Sequence, residues 1–466
     1  MRLLRAIPRL LPTAAVIATV LLATTACGTT TTTTPTTSAA APGPDALASA
    51  NGPVKVTLWH GLGGSAGAAF QAAVDAFNAA NSGKIQAEAV FQGSYADTLA
   101  KYTSAIRDQS TPSVLISNDI TTGFLHDAGQ TVPAQALAAA NPGDLSLDTL
   151  RPAARNYYSA DGALLAVPLN TSMPLLYVNN ALLAKAGVKQ SSLGTLDGVA
   201  AAARAVHAAS PDVAGIVQPF DGWWFEQLTA GAGEQYCGPD NGRTGNGATS
   251  LSLGGATQRA AFATMAGLYT DGVGLNTGTN GNDALSAFSA GRVAMMLNSS
   301  GSIGGLKAAG TTGYTALPYP LSGPAESSGA LIGGAAMWVS GPGHNPAEQV
   351  ASWKLVSYLA SAGVQEAFSQ ASGYAPINTA VDSSPTEQAF LAANPAYATL
   401  SKQFAATPAT PATSGCLSGA MTGIRANVVS AMQSAFSGAT PLQDALDSAR
   451  KAADITIASY RQQAGR

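Results

Sequence analysis

Few residues of this 466-residue chain carry reactive chemistry. Cys27 has the most informative surroundings. Arg2, Arg5 and Arg9 precede an apolar run from Leu10 to Ala23, and the small residues Ala23, Thr24, Thr25 and Ala26 lead into the cysteine. The run is about 14 residues, too short to cross a bilayer comfortably. The order reads as an export signal over residues 1–26, a cleavage site, and a thiol that accepts a lipid. The other reading is plain secretion with cleavage near Ala26, because Thr24 stands where lipid-acceptor motifs carry Leu. If Cys27 takes a lipid, Cys237 and Cys416 remain, each in a Gly-containing loop. In an oxidising compartment they form a disulfide; the alternative is two unrelated buried thiols. Four histidines without clustered spacing argue against a metal site, and no cofactor is expected. A hydrolase needs a nucleophile with a base, paired carboxylates or a metal. The acidic residues here are scattered, and no Gly-x-Ser-x-Gly elbow stands in a strand-to-helix setting. The chain is therefore not expected to be an enzyme.

The remaining polar candidates are hydrogen-bonding groups at the ends of expected elements. Val54 to Trp59 reads as a strand, and a helix runs from Gly61–Ser65 to Asn81 with Phe70, Val74 and Phe77 at helical spacing. Ile85 to Phe91 is a second strand, Tyr95 to Asp108 a helix with Leu99, Tyr102 and Ile106 inward, and Val114 to Ser117 a third strand. Strand, helix, strand, helix, strand means a parallel sheet with right-handed crossovers. Ligands bind beyond the carboxyl ends of such strands, here His60-Gly61, Gln92 to Tyr95 and Asn118-Asp119. Ala163 to Val178 reads as extended structure broken by two prolines, which suits a crossing between lobes. Helices are expected at 180–187, 194–209, 257–269 and 282–290, and as one long element over Pro346–Ala371. The end of the chain, 415–463, reads as mostly helical. Gly291 to Ser300 is a buried strand running into a turn, and Gly329 to Ser340 a Gly-rich strand. Ser172, Ser299 and Ser300 fall at strand ends or turns, where hydroxyls and free amides suit an anion. Gly333 and Gly334 permit close backbone approach to a ligand.

Residues 27–52, rich in Thr, Pro and Ala, bury almost nothing and read as a flexible stalk of about 25 Å reach. About 415 residues remain, enough for two or three cores. Net charge is −3, so no basic stripe points to nucleic acid. Charged residues make up 11%, so the surface must be largely Ala, Gly, Ser, Thr and Gln. Past the signal no apolar run is long enough to span a membrane.

Val-Thr-Leu-Trp-His at 56–60, Phe-Gln-Gly-Ser-Tyr at 91–95 and the run Val167 to Asn179 resemble the solute-binding proteins of ABC importers, carbohydrate-binding family 1. So do Gly-Arg-Val-Ala-Met-Met at 291–296, Gly-Gly-Ala-Ala-Met-Trp-Val at 333–339 and Ser-Gly-Tyr-Ala-Pro-Ile at 372–377, in the same order along the mature chain. The Gly-Ser-Tyr turn and Gly-Ile-Arg at 423–425 make it most similar to glycerol-3-phosphate and glycerophosphodiester binders.

The resemblance implies an α/β, two-lobed periplasmic-binding-protein fold (type II), with discontinuous lobes, a hinge and a central ligand cleft. Lobe one is expected at 53–170 plus 321–372, and lobe two at 171–320 plus 373–466. It implies a monomer that captures a phosphorylated polyol or sugar outside the cytoplasm. The protein would stay at the membrane through its N-terminal lipid and hand the ligand to permease subunits. Arg425 matches the family's phosphate-contacting arginine, whose fork suits phosphate, and Tyr95 and Tyr374 match its phenols. Asp119, beside Asn118, matches an acidic position that binds glycerol hydroxyls. Trp223 and Trp224 lie where relatives place cleft aromatics, able to support a sugar face or box a choline ammonium. Adjacent tryptophans in a strand face opposite sides, so one belongs to the core, and the residues do not decide which. A neutral oligosaccharide is the alternative ligand; a surface adhesin or an exported enzyme is the remote alternative.

Overall fold

The computed structural model describes residues 41–245 and 247–465. The expected signal, Cys27 and the stalk as far as residue 40 lie outside the described residues. The end of the expected stalk is ordered. Asp45–Ala48 forms a helical turn, Ala41 and Leu47 pack against the core, and Asn141 Nδ2 donates to the Pro42 carbonyl at 3.0 Å. Leu47 gives this stretch something to bury, and it docks against the helix Pro346–Leu359.

The first sheet follows the expected crossover pattern. Val54–His60 pairs in parallel with Ile85–Phe91 along its whole length and with Val114–Asn118 on its other side. The helices Gly64–Ala80 and Tyr95–Arg107 make the crossovers. Phe70, Val74 and Phe77 are buried on the first helix, as their spacing requires. The second opens on a capping box: the Ser94 hydroxyl accepts from Asp97 N–H at 3.1 Å, and the Asp97 carboxylate accepts from Ser94 N–H at 2.9 Å. Its buried face is Thr98, Tyr102 and Ala105, which leaves Leu99 and Ile106 half-buried at the stripe's edge. Gly333–Ser340 joins this sheet antiparallel to Val114–Asn118, although it follows the whole second sheet in sequence. That return makes the architecture discontinuous.

The second sheet has the order Gly274–Leu275, Ala214–Val217, Val293–Ser299, Pro174–Asn179, Tyr314–Pro318. The chain enters it at Met173. Val167–Ser172 pairs with Gly333–Ser340 in the first sheet, and Pro174–Asn179 pairs with Val293–Ser299 in the second. The chain therefore crosses from one sheet to the other just after Ser172. Pro174, which has no N–H to donate, is the first residue of its strand, where the ladder tolerates it.

The single helix expected over 346–371 is two, Pro346–Leu359 and Ala362–Ser372. Ser361 is extended between them. Two buried side chains satisfy the freed carbonyls: Gln365 donates to Leu359 at 2.9 Å and Asn378 to Ala360 at 3.0 Å. Helical periodicity runs through such a break because the residues on both sides remain apolar. Cys237 and Cys416, 179 residues apart, are joined by a disulfide. The chain ends in two packed helices, Met421–Phe436 and Leu442–Gln463. Among the described residues no helix is long and apolar enough to cross a membrane.

Candidate functional site

Strand ends from both sheets meet two helices around a cavity of about 450 Å³. Asp119 follows the strand Val114–Asn118 in a single 3-10 turn. Ser172 ends its strand opposite Gly333, and Ser299 ends Val293–Ser299. The helix Gly222–Gly231 contributes Trp223, and the helix Met421–Phe436 lays Thr422, Arg425, Ala426 and Val429 along one face. A second cavity, of about 340 Å³, lies beside His126, Asp161 and Arg243 and contains none of the expected ligand residues.

Arg425 is the centre of the charge pattern. Its Nε and Nη2 donate to the two oxygens of Glu226 at 2.5 and 3.1 Å, and Nη2 also donates to Asp119 Oδ2 at 3.1 Å. The side chains are 15% (Arg425), 8% (Asp119) and 1% (Glu226) exposed, so this is a buried network rather than a surface pair. Burial opposes the Arg425 charge, but Glu226 and Asp119 more than offset it and hold the guanidinium charged. Burial raises both carboxyls above their ordinary range, and Arg425 opposes that rise. Gly222 makes the close approach possible. A Cβ there would lie 2.3 Å from the Arg425 side chain.

Asp221 caps the Trp223 helix, accepting from Trp223 N–H at 2.8 Å. Burial pushes its carboxyl up to about 6, while Arg425 and the Trp223 N–H pull it down and Asp119 pushes it further up. The folded state therefore holds this proton more tightly than the unfolded chain. The contribution favours folding in acid and is lost as pH rises from about 4 through about 6. Asp221→Asn keeps the cap acceptor and removes the titration. Its stability relative to the parent should rise between pH 4 and pH 7, by on the order of 2 kcal/mol at most. Melting curves across that range check it; a pH-independent difference would show that Asp221 is not held high.

The structure brings together Asp119, Ser172, Trp223, Ser299, Gly333, Gly334 and Arg425. Gly334 has φ +109°, and a Cβ there would sit 1.8 Å from the Asn170 carbonyl oxygen, so this backbone passage requires glycine. Tyr95 and Tyr374 do not line the cavity. They are half-buried on either side of Asn170, whose Nδ2 donates to the Tyr95 hydroxyl at 3.0 Å. Ser300 is fully buried and pins the crossing: its N–H donates to the Met173 carbonyl at 2.8 Å and its hydroxyl accepts from Met173 N–H. His60 packs against Phe70 and Phe91.

The two tryptophans are not in a strand. They occupy the first turn of a helix, where Asp221 supplies the cap, and consecutive residues there lie about 100° apart rather than on opposite faces. Trp223 reaches the cavity and donates to the Ile332 carbonyl at 3.2 Å; Trp224 packs behind it, edge to face at 5.1 Å, in the core. Reading this segment as a strand also hides Glu226. The available signal is one acidic residue in an otherwise uncharged helical run, which is costly to bury unless paired. Asp221, Thr279 and Thr422 also line the cavity and Asn170 bonds Tyr95 beside it, although residue type and spacing alone do not mark any of the four. Among the described residues no group of acidic, His or Cys side chains is arranged to hold a metal.

The family model for bacterial extracellular solute-binding proteins matches residues 72–399. The sn-glycerol-3-phosphate-binding periplasmic protein UgpB of Yersinia pseudotuberculosis is 26% identical over 422 residues, covering 89% of this chain and 95% of that protein. Its counterpart in Escherichia coli K12 is 26% identical over 408 residues, covering 86% and 92%. Among solved structures, UgpB from Mycobacterium tuberculosis in complex with glycerophosphocholine aligns with a TM-score of 0.72 at 18% identity, over 87% of this chain and 98% of that one. The cyclic alpha-maltosyl-1,6-maltose binding protein from Arthrobacter globiformis aligns at 0.71 and 19% identity, over 87% and 100%. The sugar-binding protein MalE from Xanthomonas citri aligns at 0.73 and 19%, over 89% and 100%. The two-lobed α/β periplasmic-binding-protein fold is shared with all three, and the chain belongs to the bacterial extracellular solute-binding protein family.

Proposed function

We propose that this protein is the capture component of an ABC importer and that its cleft takes a glycerophosphodiester such as glycerophosphocholine. The observation that carries the reading is the pairing of Asp119 with Arg425 on the wall of a 450 Å³ cavity, beside the Trp223 ring. That volume lies within the roughly 300–1,000 Å³ of small-molecule sites. A carboxylate accepts two hydroxyl hydrogen bonds, as a glycerol end requires. The guanidinium supplies a charged donor for a phosphate oxygen. The aromatic face suits carbon or a quaternary ammonium. The glycerol-phosphate ligands named for the curated relatives and for one structural neighbour support the same class. Closure of two lobes, expected at 53–170 plus 321–372 and 171–320 plus 373–466, would then enclose the ligand. A lipid on Cys27 would keep the protein near its permease.

A second reading, a neutral sugar, is favoured by the carboxylates that outnumber Arg425 in the cleft and by neighbours named for maltose-type sugars. Calorimetry and melting curves with glycerophosphocholine, glycerol-3-phosphate and maltose separate the two. A true ligand at a hundredfold its Kd stabilises the fold by about 2.7 kcal/mol. Glycerophosphocholine is expected to give that shift. Maltose alone doing so would establish the second reading, and no shift with any of the three would overturn the capture reading for these solutes.

A further inference from the structure

Glu226 is the only charged residue of the helix Gly222–Gly231, and its side chain is almost wholly buried. It turns both oxygens toward one edge of Arg425, the Nε–Nη2 edge, and Asp119 takes a further bond from Nη2. Among the described residues no hydrogen bond is made by Arg425 Nη1. The paired-donor fork with which a guanidinium clamps a phosphate is therefore occupied from within the protein. Glu226 and Asp119 both bond Arg425, and Asp221 lines the same cavity, so carboxylates outnumber the one guanidinium at this site. Such a cleft repels a second full charge on a ligand. A phosphomonoester brings two charges near neutral pH, a phosphodiester one, a sugar none.

We infer that Glu226 sets the charge class of the ligand: by holding the Arg425 fork, it makes the cleft favour singly charged or neutral oxygen-rich solutes over dianionic phosphomonoesters. Glu226 acts through Arg425, so it is a positioning residue for specificity. The inference rests on the assignment of this cleft as the ligand site and deepens it.

The test compares dissociation constants for glycerol-3-phosphate and glycerophosphocholine in the full-length protein and in Glu226→Gln. The substitution keeps the side-chain size and one acceptor oxygen but removes a negative charge and loosens the fork. The preference for the diester is expected to fall by roughly ten- to thirtyfold, through tighter monoester binding. An unchanged preference, within twofold, overturns the inference while leaving the cleft assignment intact. Should Glu226→Gln not fold, Glu226→Asp supplies a second measurement: it leaves Arg425 in place but shortens the carboxylate's reach to the Nε–Nη2 edge and so loosens the fork. The diester preference should then fall by about threefold or more, and a preference within about 1.5-fold of the parent would overturn the inference. If the unsubstituted protein binds neither probe, the cleft assignment falls, and the inference with it.

Discussion

Replacing Arg425 with Ala is expected to lower folding stability by about 3–5 kcal/mol, the range for removing one partner of a buried ion pair. Surface ion pairs cost far less, with a median near 0–1 kcal/mol, but this guanidinium is 15% exposed and its partner Glu226 is 1% exposed. The loss is chiefly the penalty on what remains. Glu226 and Asp119 would keep their buried positions without the charge that compensates them, and each would then take up a proton more readily. The deficit should therefore be largest at neutral pH and shrink in acid. Adding Glu226→Met to an Arg425→Met change should recover much of the stability, because a well-packed apolar pair avoids the desolvation penalty. Melting temperatures at pH 5 and pH 7.5 check this. A drop of less than about 1 °C for Arg425→Ala at pH 7.5 would show that the network does not form.

Removing the Cys237–Cys416 bridge is expected to cost about 2–5 kcal/mol. The bridge closes a loop with a sequence separation of 179 residues, so it restricts the unfolded chain strongly. Its local setting adds to this. Arg243, six residues after Cys237, donates to the Ser159, Ser414 and Gly415 carbonyls, and Asn241 Nδ2 donates to Pro411 at 2.7 Å. The bridged loops thus hold the segment that leads into the Arg425 helix. The double Cys→Ser variant should melt several degrees lower and bind ligand more weakly. Both cysteines are at least 95% buried, so reductant should act slowly on the native protein and readily on the unfolded one. Melting scans with and without a thiol reductant test this, and equal midpoints would sink the prediction.

The alternation of Val54 to His60 and the spacing of Phe70, Val74 and Phe77 specify a strand and a helix face without reference to the rest of the molecule. Their order specifies the parallel crossovers. These features are legible because burial of one face requires a fixed period, which the local sequence must carry. The helix break at Ala360–Ser361 is not legible in this way. Gln365 and Asn378 stabilise it, and Asn378 comes from 18 residues away. The Trp223–Trp224 segment is ambiguous because a buried helix is apolar on all sides and shows no period.

The candidate site divides along the same line. Asp119, Ser172, Ser299, Gly333, Gly334 and Arg425 are placed by elements whose ends the sequence shows, and the cavity gathers them. Ser300 and Trp224 share their neighbours' composition, yet they turn into the crossing and the core. Residue type and spacing by themselves determined a set of strand ends, an α/β order and the hydrogen-bonding groups available to a ligand. Only the tertiary structure decided that Glu226, 199 residues before Arg425, occupies its fork. A charge 199 residues away leaves no mark in local periodicity, and the net charge of a buried site depends on every chain segment that closes around it.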